Sequence, residues 1–125
     1  MAIQVDKNDF DLRDGFRYYV SFKPHALEHD DPHARVPIEV AISICENGDL
    51  ADVSFELPKY CRTEQALAFI QGQAEAQFVS PHVFVVRPGC SGDAVVPALG
   101  HLEVDLAGRI IGMEIQWAPT RGALA

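Results

Sequence analysis

Three histidines, His25, His29 and His33, recur every four residues in the stretch HALEHDDPHAR, with Glu28, Asp30 and Asp31 among them. Side chains four apart share one face of a helical turn, so His25 and His29 could bind one cation, and His33 with Asp30 could complete a zinc-like or nickel-like ligand set. Pro32 breaks any single helix that would reach His33. The general base of H-E-x-x-H helices is also missing, because Ala26, Leu27 and Glu28 stand between the first two histidines. A solvated polar loop explains the same residues without a ligand. A divalent metal is the one cofactor that the sequence raises.

A second candidate depends on a hairpin. In HLEVDLAGRIIGMEIQW, a two-residue turn at Ala107-Gly108 sets His101 opposite Glu114, a pair that could raise the imidazole pKa or act as a general acid–base couple. An ordinary cross-strand pair needs no more than the same register. Glu103 and Asp105 lie on the same side as His101, either as the wall of a polar cleft or as the wet face of a sheet. A third candidate is RPGCSGD, where Arg87, two glycines, Ser91 and Cys90 could cradle an anion or present a reactive thiol. It lacks the spacing and terminal lysine of a phosphate-binding loop, and turn chemistry accounts for its glycines. No G-x-S-x-G occurs, and no catalytic residue is assigned.

These groups must be held by the elements around them. Residues 1–15 are acidic and interrupted by Gly15, and read as a loose lead-in. FRYYVSF, residues 16–22, is aromatic and β-branched and reads as a strand. VPIEVAISICENGDLADVSFEL contains two alternating runs around Asn47-Gly48, the pair preferred in a two-residue hairpin turn. With Glu46 facing Asp49, Ile44 meets Ala51, Ile42 meets Val53, Val40 meets Phe55 and Ile38 meets Leu57, all on one face, and a slip of one residue would put one strand's apolar set in water. TEQALAFIQGQAEAQF, residues 63–78, predicts a helix capped by Thr63, with Leu67, Ile70, Ala74 and Phe78 on one side. HVFVVRP predicts a strand covered on both faces, and residues 88–100 a turn-rich connection. In the second hairpin Val104 meets Ile111 and Leu102 meets Met113, unless a three-residue loop with a glycine bulge changes the register. Gly112 suggests a bulge or the close approach of another backbone. Residues 119–125 read as a frayed tail.

The chain has 125 residues, enough for one core, and its hydrophobic and charged fractions of 48% and 22% are those of a globular domain. A formal net charge of −8, with ten scattered Lys and Arg, disfavours nucleic acid and anionic lipid as partners. Cys45, Cys61 and Cys90 are an odd number at wide spacings, without a C-x-x-C pair, which fits a reducing compartment better than a disulfide framework. No export signal or run of 18 apolar residues stands out, so a cytoplasmic location without a membrane span is expected. The two hairpins are loosely similar, but no solenoid-type repeat is visible.

VDLAGRIIGMEIQWA resembles the end of a small bacterial domain family of unknown function, whose members close on an aspartate, a Gly-Arg turn and a strand of the form I-V-G-I-E-I. VAISICENGDLADVSFEL is similar to that family's earlier strand pair. The resemblance implies a small α+β domain and assigns no activity and no site residue. The expected architecture is α+β in a single domain over residues 1–125: a mainly antiparallel sheet of two hairpins plus additional strands, with one main helix packed on one face. The expected function is a non-enzymatic interaction or ligand-binding domain. It would self-associate as a homodimer or hold a protein or small ligand on the uncovered sheet face. The competing expectation is a metal-binding protein or metal-dependent enzyme built on the histidine loop, residues 25–35.

Overall fold

The computed structural model describes residues 3–11, 14–23, 34–71, 73–87, 92 and 94–117. Its strands are β1 (Gln4–Asp11), β2 (Gly15–Ser21), β3 (Ala34–Ile44), β4 (Leu50–Glu56), β5 (Ala76–Val79), β6 (His82–Val86), β7 (Ala94–Val104) and β8 (Ile110–Trp117). They form one sheet in the order β1-β2-β8-β7-β3-β4-β6-β5, every neighbouring pair antiparallel. The sheet curls into a half-barrel. Inward positions alternate with outward ones along each strand, and Tyr18, Val20, Ile42, Val53, Val85, Leu102, Met113 and Ile115 fill the inside. Each such side chain contributes on the order of 2 kcal/mol by leaving water.

The fold is therefore nearly all β, and the α+β architecture with a main helix is corrected. Residues 63–71 form a chain of turns rather than a regular helix. Leu67 N–H bonds to Thr63 O and Gln71 N–H to Leu67 O across four residues, whereas Ala68 bonds to Gln65 O and Ile70 to Leu67 O across three. The cap is as expected, with Thr63 Oγ1 accepting the Ala66 N–H at 3.0 Å. A continuous helix fails because its carbonyls are used elsewhere. The Ala66 carbonyl, which Ile70 N–H would take in a helix, accepts the β8 Ile110 N–H at 2.9 Å. Beyond residue 73 the chain pairs with β6, Ala76 facing Val85 and Phe78 facing Val83. Ala66, Leu67 and Ile70 are buried and cover one end of the core.

Other elements also differ from the sequence reading. The lead-in contains edge strand β1, the connection at residues 88–100 contains the start of central strand β7, and β6 is covered on one face only, leaving Phe84 and Val86 exposed. Both hairpins close through three-residue loops. Cys45 N–H bonds to Asp49 O at 2.8 Å, Gly48 N–H to Cys45 O at 2.9 Å, and Gly48 carries the positive φ of 91°. Asn47 keeps a negative φ, so the two-residue turn that Asn-Gly favours does not form. The extra residue is absorbed as a bulge. Val40–Phe55 and Ile42–Val53 face each other as expected, but Ile44 meets Leu50 rather than Ala51. In the second hairpin the three-residue loop with a glycine, the alternative named above, is the one formed: Leu102 meets Met113, and Val104 meets Ile110 rather than Ile111.

The topology contains an internal repeat. Matching β1 to β4 with β5 to β8 makes the strand order read the same from either edge. Strands β3 and β7 begin and end sixty residues apart, at 34 and 94 and at 44 and 104. The bulge between Ser43 and Ile44 recurs between Glu103 and Val104. Asp105 N–H to Arg109 O at 2.9 Å repeats the bond from Cys45 to Asp49, and Phe22 N–H to Ile111 O at 3.0 Å repeats that from Arg87 to Ala51 at 2.9 Å. Glu39 faces Leu99, its own counterpart, so a pseudo-two-fold axis runs through that pair. Pro37 and Pro97 are counterparts as well. Each lies where its strand is paired on one side, since the β3–β4 ladder begins at Val40 and the β7–β8 ladder at Leu99.

Asp105 holds the second turn. Its carboxylate accepts the Arg109 backbone N–H and Nε, both at 2.8 Å, and Arg109 lies 4.7 Å from the centre of the Phe69 ring. Burial pushes the carboxyl pKa up, but the hydrogen bonds and the guanidinium outweigh it and hold the pKa below the usual aspartate value. A depressed pKa adds stability above the unfolded aspartate value, near pH 4, and that stability is lost as pH falls through the folded value. Asp105→Asn is expected to cost about 1–3 kcal/mol at neutral pH and to flatten the acid limb of thermal midpoint against pH. An unchanged limb would rule out this role.

Candidate functional site on the outer sheet face

The outward positions of the two halves occupy equivalent places but carry different chemistry. On β2, β8, the end of β7 and the start of β3 they are polar. Tyr19 lies across β8 and donates its hydroxyl to Glu103 Oε1 at 2.5 Å, and Arg35 Nε stands 3.4 Å from Glu103 Oε2. Glu103 is 6% exposed although it points outward, because these neighbours cover it. Gly112 makes the crossing possible, since a Cβ there would stand 2.5 Å from the Tyr19 hydroxyl and 2.9 Å from the Val20 carbonyl. The close approach expected at Gly112 is thus that of a side chain as well as a backbone. Burial, then the hydrogen bond and the Glu103 charge, hold the Tyr19 hydroxyl well above its ordinary pKa, against the pull of Arg35. It is a fixed donor and not a base.

His101 and Glu114 do face each other. The Glu114 carboxylate accepts the Gln116 side-chain amide, and His101 is exposed, which is the arrangement of an ordinary cross-strand pair. His25, His29, His33 and Asp30 of the metal candidate lie outside the described residues, as does Cys90. No group of three or more metal-ligating side chains is found among the described residues. Cys45 is disulfide-bonded, a state that reducing compartments disfavour and that the odd cysteine count did not suggest. Cys61 is free and buried, and burial pushes its thiol pKa up, away from reactivity. Among the described residues no helix is long and apolar enough to cross a membrane.

The other half of the outer face carries exposed apolar side chains beside serines and an aspartate. Val95 is 75% exposed, Leu99 63%, Val86 61% and Phe84 40%. The ladders set them on the two flanks of β3 and β4: Val95, Ser43, Asp52 and Val86 form one row, and Pro97, Ala41, Ser54 and Phe84 the next. Phe84 is the counterpart of Tyr19, Val86 of Ser21, Val95 of Arg35 and Ala41 of His101, as their partners on β4 and β8 or on β3 and β7 show. The sequence reading missed this patch because it placed Val95 and Leu99 in a loop and Phe84 and Val86 under cover. The signal that could have found it is A-x-V-P, present at Ala34 and again at Ala94.

Comparison with family models, curated proteins and solved structures yields no match. No activity or site residue passes to the chain from a relative.

The tyrosines provide a direct check on the inner and outer networks. Tyr18, whose hydroxyl donates to the Gly48 carbonyl at 2.5 Å, has its pKa pushed up to about 12 by burial and then by Asp49. A raised phenol pKa favours the folded state below the unfolded value near 10, and the advantage is lost as pH rises through the folded value. Absorbance at 295 nm is therefore expected to show Tyr18 and Tyr19 ionising only together with alkaline unfolding. Tyr19→Phe should lower stability by about 1 kcal/mol. Early titration of both phenols in the folded protein would contradict the two hydrogen bonds.

Proposed function

We propose that the protein is a non-enzymatic binding domain that self-associates through the apolar half of its outer sheet face. The observation that carries the reading is the contrast between equivalent positions. Tyr19, Ser21, Arg35 and His101 occupy one half, so the fold accepts polar residues there, and nothing in the scaffold demands Phe84, Val86, Val95 and Ala41 in the other. Several exposed apolar side chains on one face that folding does not require are the mark of a contact surface. The polar half supports the same reading, because its charged groups are engaged with one another rather than arranged around a substrate.

A second copy is the occupant we assign to the patch. Two chains of net charge −8 repel at long range, so apolar contact must supply the attraction and added salt should strengthen it. The test borrows residues that the fold already tolerates. Wild-type protein is expected to sediment as a dimer at micromolar concentration, and Val86→Ser with Val95→Arg, the counterparts' own residues, to give a monomer with an unchanged thermal midpoint. Wild-type protein that stays monomeric with rising concentration and salt, or a dimer indifferent to both substitutions, would exclude this surface.

A further inference from the structure

We infer that the two halves of the chain are mutual binding partners, so that a second copy can exchange halves with the first and form an intertwined dimer. The first half comprises β1 to β4 and the second β5 to β8. Along the sheet they alternate hairpin by hairpin: β1-β2 from the first, β8-β7 from the second, β3-β4 from the first, β6-β5 from the second. In neither half are the two hairpins neighbours in the sheet. The space between β2 and β3 is filled by β8 and β7, and that between β7 and β6 by β3 and β4. The ladders that join hairpins, β2–β8, β7–β3 and β4–β6, therefore all run between halves, and β3–β7 spans Ala34 to Ile44 over its full length.

The core is shared as well, since first-half Tyr18, Ile42 and Val53 pack in one cluster with second-half Val85, Leu102 and Met113. Tyr18 and Lys7 also bond the β3–β4 turn at Gly48 and Asp49, contacts that stay within the first half. The chain passes from one half to the other once, through residues 57–75, and Pro58 begins that passage in an extended conformation with ψ of 150°. Swinging the passage outward lets the first half of one chain dock on the second half of another, with the β2–β8, β7–β3 and β4–β6 ladders remade between chains while hairpins and bulges stay within each. In dilute solution the tethered half wins by its high effective concentration. During folding at high concentration the foreign half competes on equal terms, since it presents the same surface.

This inference does not involve the outer-face patch and does not rest on it. The test is refolding of the full-length chain from denaturant over a range of protein concentrations, with reductant present because Cys45 is disulfide-bonded. Light scattering after size exclusion is expected to show a dimer fraction that grows with refolding concentration. Once isolated, that dimer should keep its mass on dilution in the cold and revert to monomer only after unfolding and dilute refolding. The Val86→Ser, Val95→Arg variant should form it equally well. Monomer at every refolding concentration would overturn the inference. So would a dimer that dissociates promptly on dilution and is lost in that variant, a result that would leave the outer-face reading standing.

Discussion

The β3–β7 ladder is the constraint on which the rest of the structure depends. Eleven residues of each strand pair antiparallel, from Ala34 with Val104 to Ile44 with Ala94. Because the pseudo-two-fold axis passes through Glu39 and Leu99 in this ladder, whatever it places on one side it places again on the other. Each long strand also starts a hairpin, so the ladder fixes where β4 and β8 run and therefore which edges remain for β6 and β2. The curl follows from the same geometry. The outer hairpins curl until Ile3 N–H reaches Glu75 Oε1 at 3.1 Å and Gln73 Nε2 reaches the Phe22 carbonyl at 3.2 Å, so the two ends of the sheet meet through side chains.

A symmetric scaffold with unlike faces separates what folding needs from what it does not. Inward residues are apolar in both halves, Val20 answering Val85 and Ile42 answering Leu102, because both halves close on one core. Outward residues answer to no common demand. One half has spent them on the linked polar groups Tyr19, Glu103 and Arg35, with Gly112 clearing room for the ring, while the other carries bare Phe84, Val86 and Val95. A tyrosine, a serine and an arginine satisfy the backbone at these places as well as a phenylalanine and two valines do.

Much of the local structure could be read from residue order alone. Alternation placed the apolar faces of β3, β4 and β8, and the facing pairs Val40–Phe55, Ile42–Val53, Leu102–Met113 and His101–Glu114 follow from it, since pleating leaves an alternating segment one way to bury its apolar side. The glycines at the two turns were legible too, although Gly48 serves a three-residue loop and not the two-residue turn its dipeptide favours. The helix expected over residues 63–78 was misread for a physical reason. Its spacing and cap are real, and Ala66, Leu67 and Ile70 are buried together. Yet β8 claims a carbonyl the helix needs and β6 claims the chain that would have been its last turn. Periodicity reports which side chains want burial and not which backbone groups have found other partners.

What the sequence by itself determined is local: the apolar faces of β3, β4 and β8, where the chain reverses, and which cross-strand pairs meet away from the bulges. These depend on neighbours a few residues apart, and the side-chain period carries them. What only the tertiary structure decided is how the hairpins interleave. With it came the role of β7 as a central strand, the edge strand β1, the burial of outward-pointing Glu103 and the gathering of Val95, Leu99, Phe84 and Val86 on one surface. Those outcomes rest on ladders between segments far apart in the chain, such as Ser43 with Val95 and Asp52 with Val86. Local pattern is silent on them because a strand's hydrogen-bonding edges are the same backbone atoms whatever its residues, and their partners are chosen by the fold as a whole.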